Sequence, residues 1–389
     1  MEKYRKVLWC GLAAFAIGFI AWAYQGVVGL GVTNLSNAFV WGNYVACFEF
    51  FIGVAVGGLL VFSLAYLIKK HYLRALAPIA AATALAGAGA AILSILSDMG
   101  MALRLYRVLL TPNFMSPMVW DIGIMAVFLV VSALAVFFQL KKSEYHCRKL
   151  AYVGLPVTLL MGLVTAMLFA TQRSHEWWNS ALFPVDSLVA TFALGSSVVL
   201  LFSLLYFGQK RMLENDKAYT LLGKLVVICL AAHIVMTLLE LVPFIGSQAP
   251  ANQQLLALLF GRYGGLYVLE FLVSVGAIVI YWLKRYAAQF KFNFLACLLV
   301  VIGGFIHRIM VLAPAFNTHE LTLDVAGELW SPPVAVGTFV EGSSSFVTYW
   351  GYFPSAIEWL LLLMPVGATL ILMGILFAKI HERGSHKVL

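Results

Sequence analysis

Charge is scarce in this chain. Of its 389 residues, 11% are Asp, Glu, Lys or Arg and 62% are hydrophobic. A soluble protein needs roughly a quarter of its residues charged to cover its surface, so this one must turn a surface to lipid. Closely spaced cysteines are missing too. Cys10, Cys47, Cys147, Cys229 and Cys297 are far apart, and none forms a C-x-x-C. That spacing speaks against an iron–sulfur or structural zinc ligand set and against a disulfide framework. Buried thiols acting as small hydrophobes are the expectation. There is no Gly-rich phosphate loop, no H-E-x-x-H and no nucleophile elbow, which argues against an ATP-driven pump or a hydrolase. Strand-like alternation is absent as well, and with it the β-barrel.

What is present is a series of apolar runs. A spanning helix needs roughly 20 apolar residues. Ten segments qualify, at about 7–28, 42–68, 75–98, 117–140, 150–171, 186–208, 219–245, 262–283, 293–313 and 354–380. The expected fold is therefore an all-α integral membrane protein, one polytopic domain over residues 1–389, with ten transmembrane helices. A loose duplication into two four-helix bundles is compatible with this pattern. The start also resembles a signal peptide, because Lys3–Lys6 precede an apolar run and Ala21-Trp22-Ala23 mimics a cleavage site; retention is the expectation.

Basic residues set the orientation, since Lys and Arg stay on the cytoplasmic side. With the N-terminus inside, all but five of the 25 Lys and Arg residues fall in inner segments. The five are Arg104, Arg107, Arg173, Arg262 and Arg308. Both termini are thus expected inside, and the net charge of +8 reflects orientation, not nucleic-acid binding. Outer loops are long, at about 99–116, 172–185, 246–261 and especially 314–353. The last carries Glu320, Asp324, Glu328 and Glu341 without Lys or Arg. Long outer loops suggest a docking face for a partner.

Ionisable groups inside a bilayer are costly, so each is a functional candidate. Glu49, Asp98, Asp121, Asp186, Glu240, Glu270 and Glu358 all fall in the outer half on this topology. The inner half has no acid, so a proton wire across the whole membrane would need water or hydroxyls such as Ser94, Thr165, Thr191 and Ser203. Asp121 and Asp186 also suit first-turn dipole partners, and Glu49, Glu240 and Glu270 suit ion pairs with Arg308 or Arg262. Glu49, Gly53 and Gly57 share one helix face, and the next segment is rich in small residues from Ala80 to Ala91. Together they leave a cleft near Glu49 and Asp98, or else pack two backbones tightly. His233 and His307 lie at equal depth, as bis-His b-haem would require; hydrogen-bonded core histidine is the preferred reading.

Phe39-Val40-Trp41-Gly42, leading into Glu49 and then Gly53 and Gly57-Gly58, resembles the NrfD/polysulfide-reductase membrane-subunit family. Asp98-Met99-Gly100 and the loop Pro112-Asn113-Phe114-Met115-Ser116-Pro117, followed by Trp120-Asp121, are similar to that family's helix-3 motif and following loop. Glu240, Glu270, Arg308 with Ala315-Phe316-Asn317, and Tyr352-Phe353-Pro354 with Glu358 extend the likeness over roughly residues 39–380. The layout is closest to the hydrogenase-2-type membrane subunit. Met101 stands where relatives often carry Arg, and Glu49 where they carry His or Asp.

The resemblance implies a quinone-reactive subunit that binds menaquinone in the first bundle near the outer face and has no redox or metal cofactor of its own. It implies a ferredoxin-like iron–sulfur subunit on the outer surface and a further catalytic subunit: a molybdoenzyme, a hydrogenase or a multihaem cytochrome. The home implied is a prokaryotic cytoplasmic membrane. The expected quinone site comprises Trp41, Glu49, Asp98, Asn113, Ser116, Trp120 and Asp121, with Glu49 or Asp98 exchanging protons. Glu240, Glu270, Arg308 and Glu358 are expected to form a second polar cluster, as a proton relay or a structural element. A secondary transporter with Glu49, Glu240 and Glu270 as coupling sites and a purely structural anchor are the alternatives.

Overall fold

In a hydrocarbon environment a chain must satisfy its backbone polar groups internally, and long apolar runs do so as helices. The computed structural model describes residues 2–35, 39–68, 70–172, 175–283, 285, 288–316, 323–325, 328–330 and 352–385. Among them, ten helices are long and apolar enough to cross a membrane. In chain order the helices are α1 (Glu2–Val28), α2 (Asn43–Leu67), α3 (Ala77–Asp98), the short α4 (Tyr106–Leu110), α5 (Pro117–Leu140), α6 (Glu144–Ala170) and α7 (Phe183–Glu214). They continue with α8 (Asp216–Gly246), the short α9 (Pro250–Phe260), α10 (Gly264–Trp282), α11 (Phe290–Phe316), α12 (Ala356–Leu361) and α13 (Leu363–Ser385).

Packing divides them into two four-helix bundles. The first contains α2, α3, α5 and α6, and the second α7, α8, α10 and α11. Helices α1, α12 and α13 pack together at the periphery, with α13 against α3. Ten crossings return the C-terminus to the side of the N-terminus, the side where the basic residues gather.

Helix α2 is the central element, buried along almost its whole length. Its glycines make that position possible. A Cβ on Gly57 would run into the backbone of Gly195 on α7, and one on Gly58 would come within 2.7 Å of the Ala84 nitrogen on α3. From α3, a Cβ on Gly87 would lie 2.7 Å from the Ala55 nitrogen. The small-residue faces are thus filled by neighbouring backbone, which is the tight-packing outcome of the G-x-x-x-G pattern.

Two short helices stand where only loops were expected. Helix α9 opens with Pro250 and buries Leu255 and Leu259, one turn apart, while remaining too short to span. Helix α4 follows a turn of 3-10 helix over Ala102–Leu105. The last crossing is broken at Leu362. Pro365 has no N–H to give to the carbonyl one turn back, which explains the break. Two strands, β1 (Leu323–Val325) and β2 (Glu328–Trp330), pair antiparallel with Asp324 opposite Leu329. The remainder of the acidic outer loop between residues 317 and 351, including Asn317, Glu320 and Glu341, lies outside the described residues, as does Arg173.

Candidate functional site

Glu49 sits six residues into α2, about 9 Å below its outer end. Its carboxylate is 3.7 Å from the Arg308 guanidinium of α11, and both side chains are buried. Arg308 also donates to Ser187 Oγ at 3.2 Å and Thr191 Oγ1 at 2.8 Å. Those two hydroxyls are four residues apart, on one face of α7. The pair therefore sits where the two bundles meet. One oxygen of Glu49 is buried without a partner.

The other residues expected around the quinone are distributed over the outer end of the first bundle. Asp121 is buried and accepts a hydrogen bond from Thr165 of α6 at 2.6 Å. Asp98 closes α3, with one oxygen buried and unpartnered. Beside it, Gln25 donates to the Ser97 carbonyl at 2.7 Å and accepts from Tyr44 at 2.5 Å. Asn43, at the start of α2, is buried with its side-chain Nδ2 unpartnered. Trp41 does not hydrogen-bond to these groups; it stacks on Trp178 and meets Phe169 and Phe316 edge-on. Asn113, Ser116 and Trp120 form a self-contained turn. Asn113 accepts from the Met115 amide at 3.1 Å, Ser116 N donates to the Asn113 carbonyl, and Trp120 donates to the Phe114 carbonyl at 2.8 Å. Trp120 is 60% exposed, with Leu103, Phe114 and Met115 also open.

The expected second cluster is rearranged. Arg308 joins Glu49. Glu358 is fully buried at the start of α12, in a capping box with Ser355. It accepts from the Asn34 amide at 2.8 Å and from the Tyr352 hydroxyl. Tyr352 in turn accepts from the Asn43 backbone N–H at 2.8 Å. Burial and the Glu358 carboxylate push the Tyr352 phenol above the ordinary tyrosine range. Glu358 thus ties the segment before α2 to the C-terminal helix pair, on the side of Asp98.

Glu270 has different companions. His233 of α8 places Nδ1 2.7 Å from Asp186 of α7 and Nε2 3.3 Å from Glu270 of α10. His307 of α11 places Nδ1 2.9 Å from the same Glu270 oxygen. Each helix of the second bundle contributes one member. The imidazole centroids are 4.5 Å apart and T-shaped, and the rings are tied to carboxylates. A porphyrin plane does not fit between rings so placed, and the geometry does not suit bis-His haem. Glu240 and Tyr267 line a small adjoining cavity with Asp186, Glu270 and His307.

Equal helix depth was the sequence signal that pointed to the two histidines. Their carboxylate partners were visible only as separate candidates, because the contacts cross four helices. Ser187 and Gln25 carried no sequence signal beyond being polar near apolar runs.

A family model described as "Polysulphide reductase, NrfD" matches residues 31–320. A protein from Halobacterium salinarum assigned as a dimethyl sulfoxide reductase membrane subunit is 30% identical over 257 residues, 59% of this chain and 58% of that protein. The Hdr-like menaquinol oxidoreductase integral membrane subunit of Archaeoglobus fulgidus is 31% identical over 200 residues, 50% of this chain and 48% of that one. A selenate reductase subunit of Mesobacillus selenatarsenatis is 20% identical over 316 residues, 71% of this chain and 73% of its own. The matched stretch thus spans about half the length of the first two relatives.

Proposed function

Because this chain belongs to the NrfD polysulphide reductase family, we propose that it is the quinone-reactive membrane subunit of a respiratory oxidoreductase in a prokaryotic cytoplasmic membrane. The names of the relatives, which include membrane subunits of reductases and of a menaquinol oxidoreductase, support that reading. Menaquinone is the proposed substrate. An iron–sulfur subunit on the outer face, leading to a catalytic subunit, is the proposed electron partner.

One observation carries the placement of the substrate. Asn43 Nδ2, Glu49 Oε1 and Asp98 Oδ1 are buried polar atoms without partners, all at the outer end of the first bundle. Such atoms are rare in folded proteins and call for a ligand or water. A quinone offers two carbonyl acceptors and a quinol two hydroxyl donors, which suits an amide donor and carboxylate oxygens. Oxidising the quinol releases two electrons and two protons. The electrons pass to the docked iron–sulfur subunit, and Glu49 and Asp98 accept protons as general bases. Arg308 holds Glu49 in place, and Trp41 with its aromatic neighbours walls the outer side. The exposed apolar turn at Phe114, Met115 and Trp120 suits the partner subunit or the lipid headgroup layer.

Quinol-linked turnover of the purified complex tests this. Glu49→Gln and Asp98→Asn should each abolish turnover while the complex still assembles. Turnover at the native rate in both variants would refute the site. Purification of the chain without any redox subunit, from membranes kept under mild detergent, would refute the function.

A further inference from the structure

The histidine–carboxylate cluster of the second bundle has the donor set of a metal site. One ligand atom each from Asp186, His233 and His307 lies within 4.8 Å of the others. Asp186 and His233 are buried, and His307 is nearly so. Glu270 stands behind the two imidazoles. Its Oε1 receives His233 Nε2 at 3.3 Å and His307 Nδ1 at 2.9 Å.

A bound metal would select the tautomers. An imidazole that donates one N–H to a carboxylate offers a lone pair at its other nitrogen. With a metal bound and Glu270 taking the Nε2 proton of His233, Nδ1 would be the ligand atom; in this structure it stands at hydrogen-bond distance, 2.7 Å, from Asp186. With Glu270 taking the Nδ1 proton of His307, Nε2 is free. A carboxylate orienting ligand histidines from behind is the common second layer of metal sites.

Charge points the same way. Glu49, Asp186 and Glu270 are three buried carboxylates, and Arg308, the permanent cation among them, is paired with Glu49. The recorded partners of Asp186 and Glu270 are the two histidines, so carboxylate and imidazole donors face one another here without a Lys or Arg between them among the described residues. The ligands come from facing helices of a bundle, where cofactor-free metal sites are readily built. Ligands about 2.0–2.1 Å from a tetrahedral ion stand roughly 3.3 Å apart. The 2.7 Å separation of Asp186 and His233 therefore has to open by about 0.6 Å, which a carboxylate rotation supplies. The adjoining cavity, lined by Asp186, Glu240 and His307, leaves room for a fourth ligand.

We propose that Asp186, His233 and His307 bind one divalent transition-metal ion of the zinc class, with Glu270 as the positioning carboxylate. The sequence had pointed to no metal in this chain. The proposal is independent of the quinone site.

Cobalt(II) and zinc(II) are the probes, applied to the full-length chain purified with its co-purifying subunits. The expected result is one Co²⁺ per chain after dialysis, with the visible absorption of a low-symmetry four-coordinate site, displaced by Zn²⁺. His233→Ala and His307→Ala should each lose that equivalent, whereas Glu358→Gln should keep it. Glu270→Gln should keep the stoichiometry and weaken affinity about 10–100-fold. Equal Co²⁺ content in wild type and both histidine variants overturns the proposal, as does no bound Co²⁺ in the wild type. If the histidine variants fail to fold, zinc-edge X-ray absorption on the wild type decides. Two imidazole ligands support the site; one or none overturns it.

Discussion

Glu49 and Arg308 form an ion pair, 3.7 Å apart, buried at the junction of the two bundles. A single cation and a single anion so enclosed depend on one another. Replacing Arg308 with Met should lower the thermal stability of the detergent-purified protein by about 3–5 kcal/mol, because it strands a buried carboxylate. Glu49→Gln combined with Arg308→Met should recover part of that loss. The coupling should come to about 0.5–3 kcal/mol, measured by a double-mutant cycle on thermal unfolding; strict additivity would contradict the pairing.

Trp178 fills the outer junction. It is 1% exposed, donates to the Val311 carbonyl at 2.7 Å and packs on Trp41, Phe169 and Phe316. Trp178→Ala should cost about 3–5 kcal/mol, seen as a lower melting temperature. Trp120→Ala, at a side chain 60% exposed, should leave the melting temperature nearly unchanged.

Glycine substitutions separate packing from propensity. Gly57→Leu should prevent accumulation of folded protein, since even a Cβ there collides with the Gly195 backbone. Gly89, on a neighbouring helix, has nothing within 4 Å of a Cβ position. Gly89→Ala should therefore raise stability by about 0.5–1 kcal/mol through helix propensity. Both are read from monodisperse yield and thermal unfolding.

Tyr352→Phe removes the hydroxyl that links Glu358 to the Asn43 amide. The expected loss is about 1–3 kcal/mol. The sign of its pH dependence follows from the raised phenol. A hydroxyl held protonated in the folded state contributes fully below the unfolded tyrosine value of about 10, and that contribution fades as pH rises beyond it. The gap between wild type and variant should stay constant from neutral pH to about 9 and shrink at higher pH. A gap already closing near neutrality would show that the phenol is not held as described.

The ten crossings could be read from the sequence because each is a local property: apolar length, with basic residues marking the inner ends. The short helices α4 and α9 could not, because their apolar runs fall below spanning length and their helical state depends on packing. Every acid singled out by its depth is buried or half-buried at or near the bundle ends. Partnership was harder to see. Glu49 and Arg308 are far apart in sequence, and Glu358 was grouped with Glu270 in a second polar cluster, whereas it is tied to Asn34 and Tyr352. Depth is one coordinate, and it does not report which side of a helix a residue faces.

The contact between Gly57 and Gly195 also bears on how the molecule can move. Transport by alternating access requires one bundle to rock against the other around a central site. Here the two bundles touch backbone to backbone at mid-length, without intervening side chains that could slide or re-pack. A hinge of that kind would have to break this backbone contact on every cycle. A fixed frame suits a different task, in which protons and electrons move and the helices stay where they are.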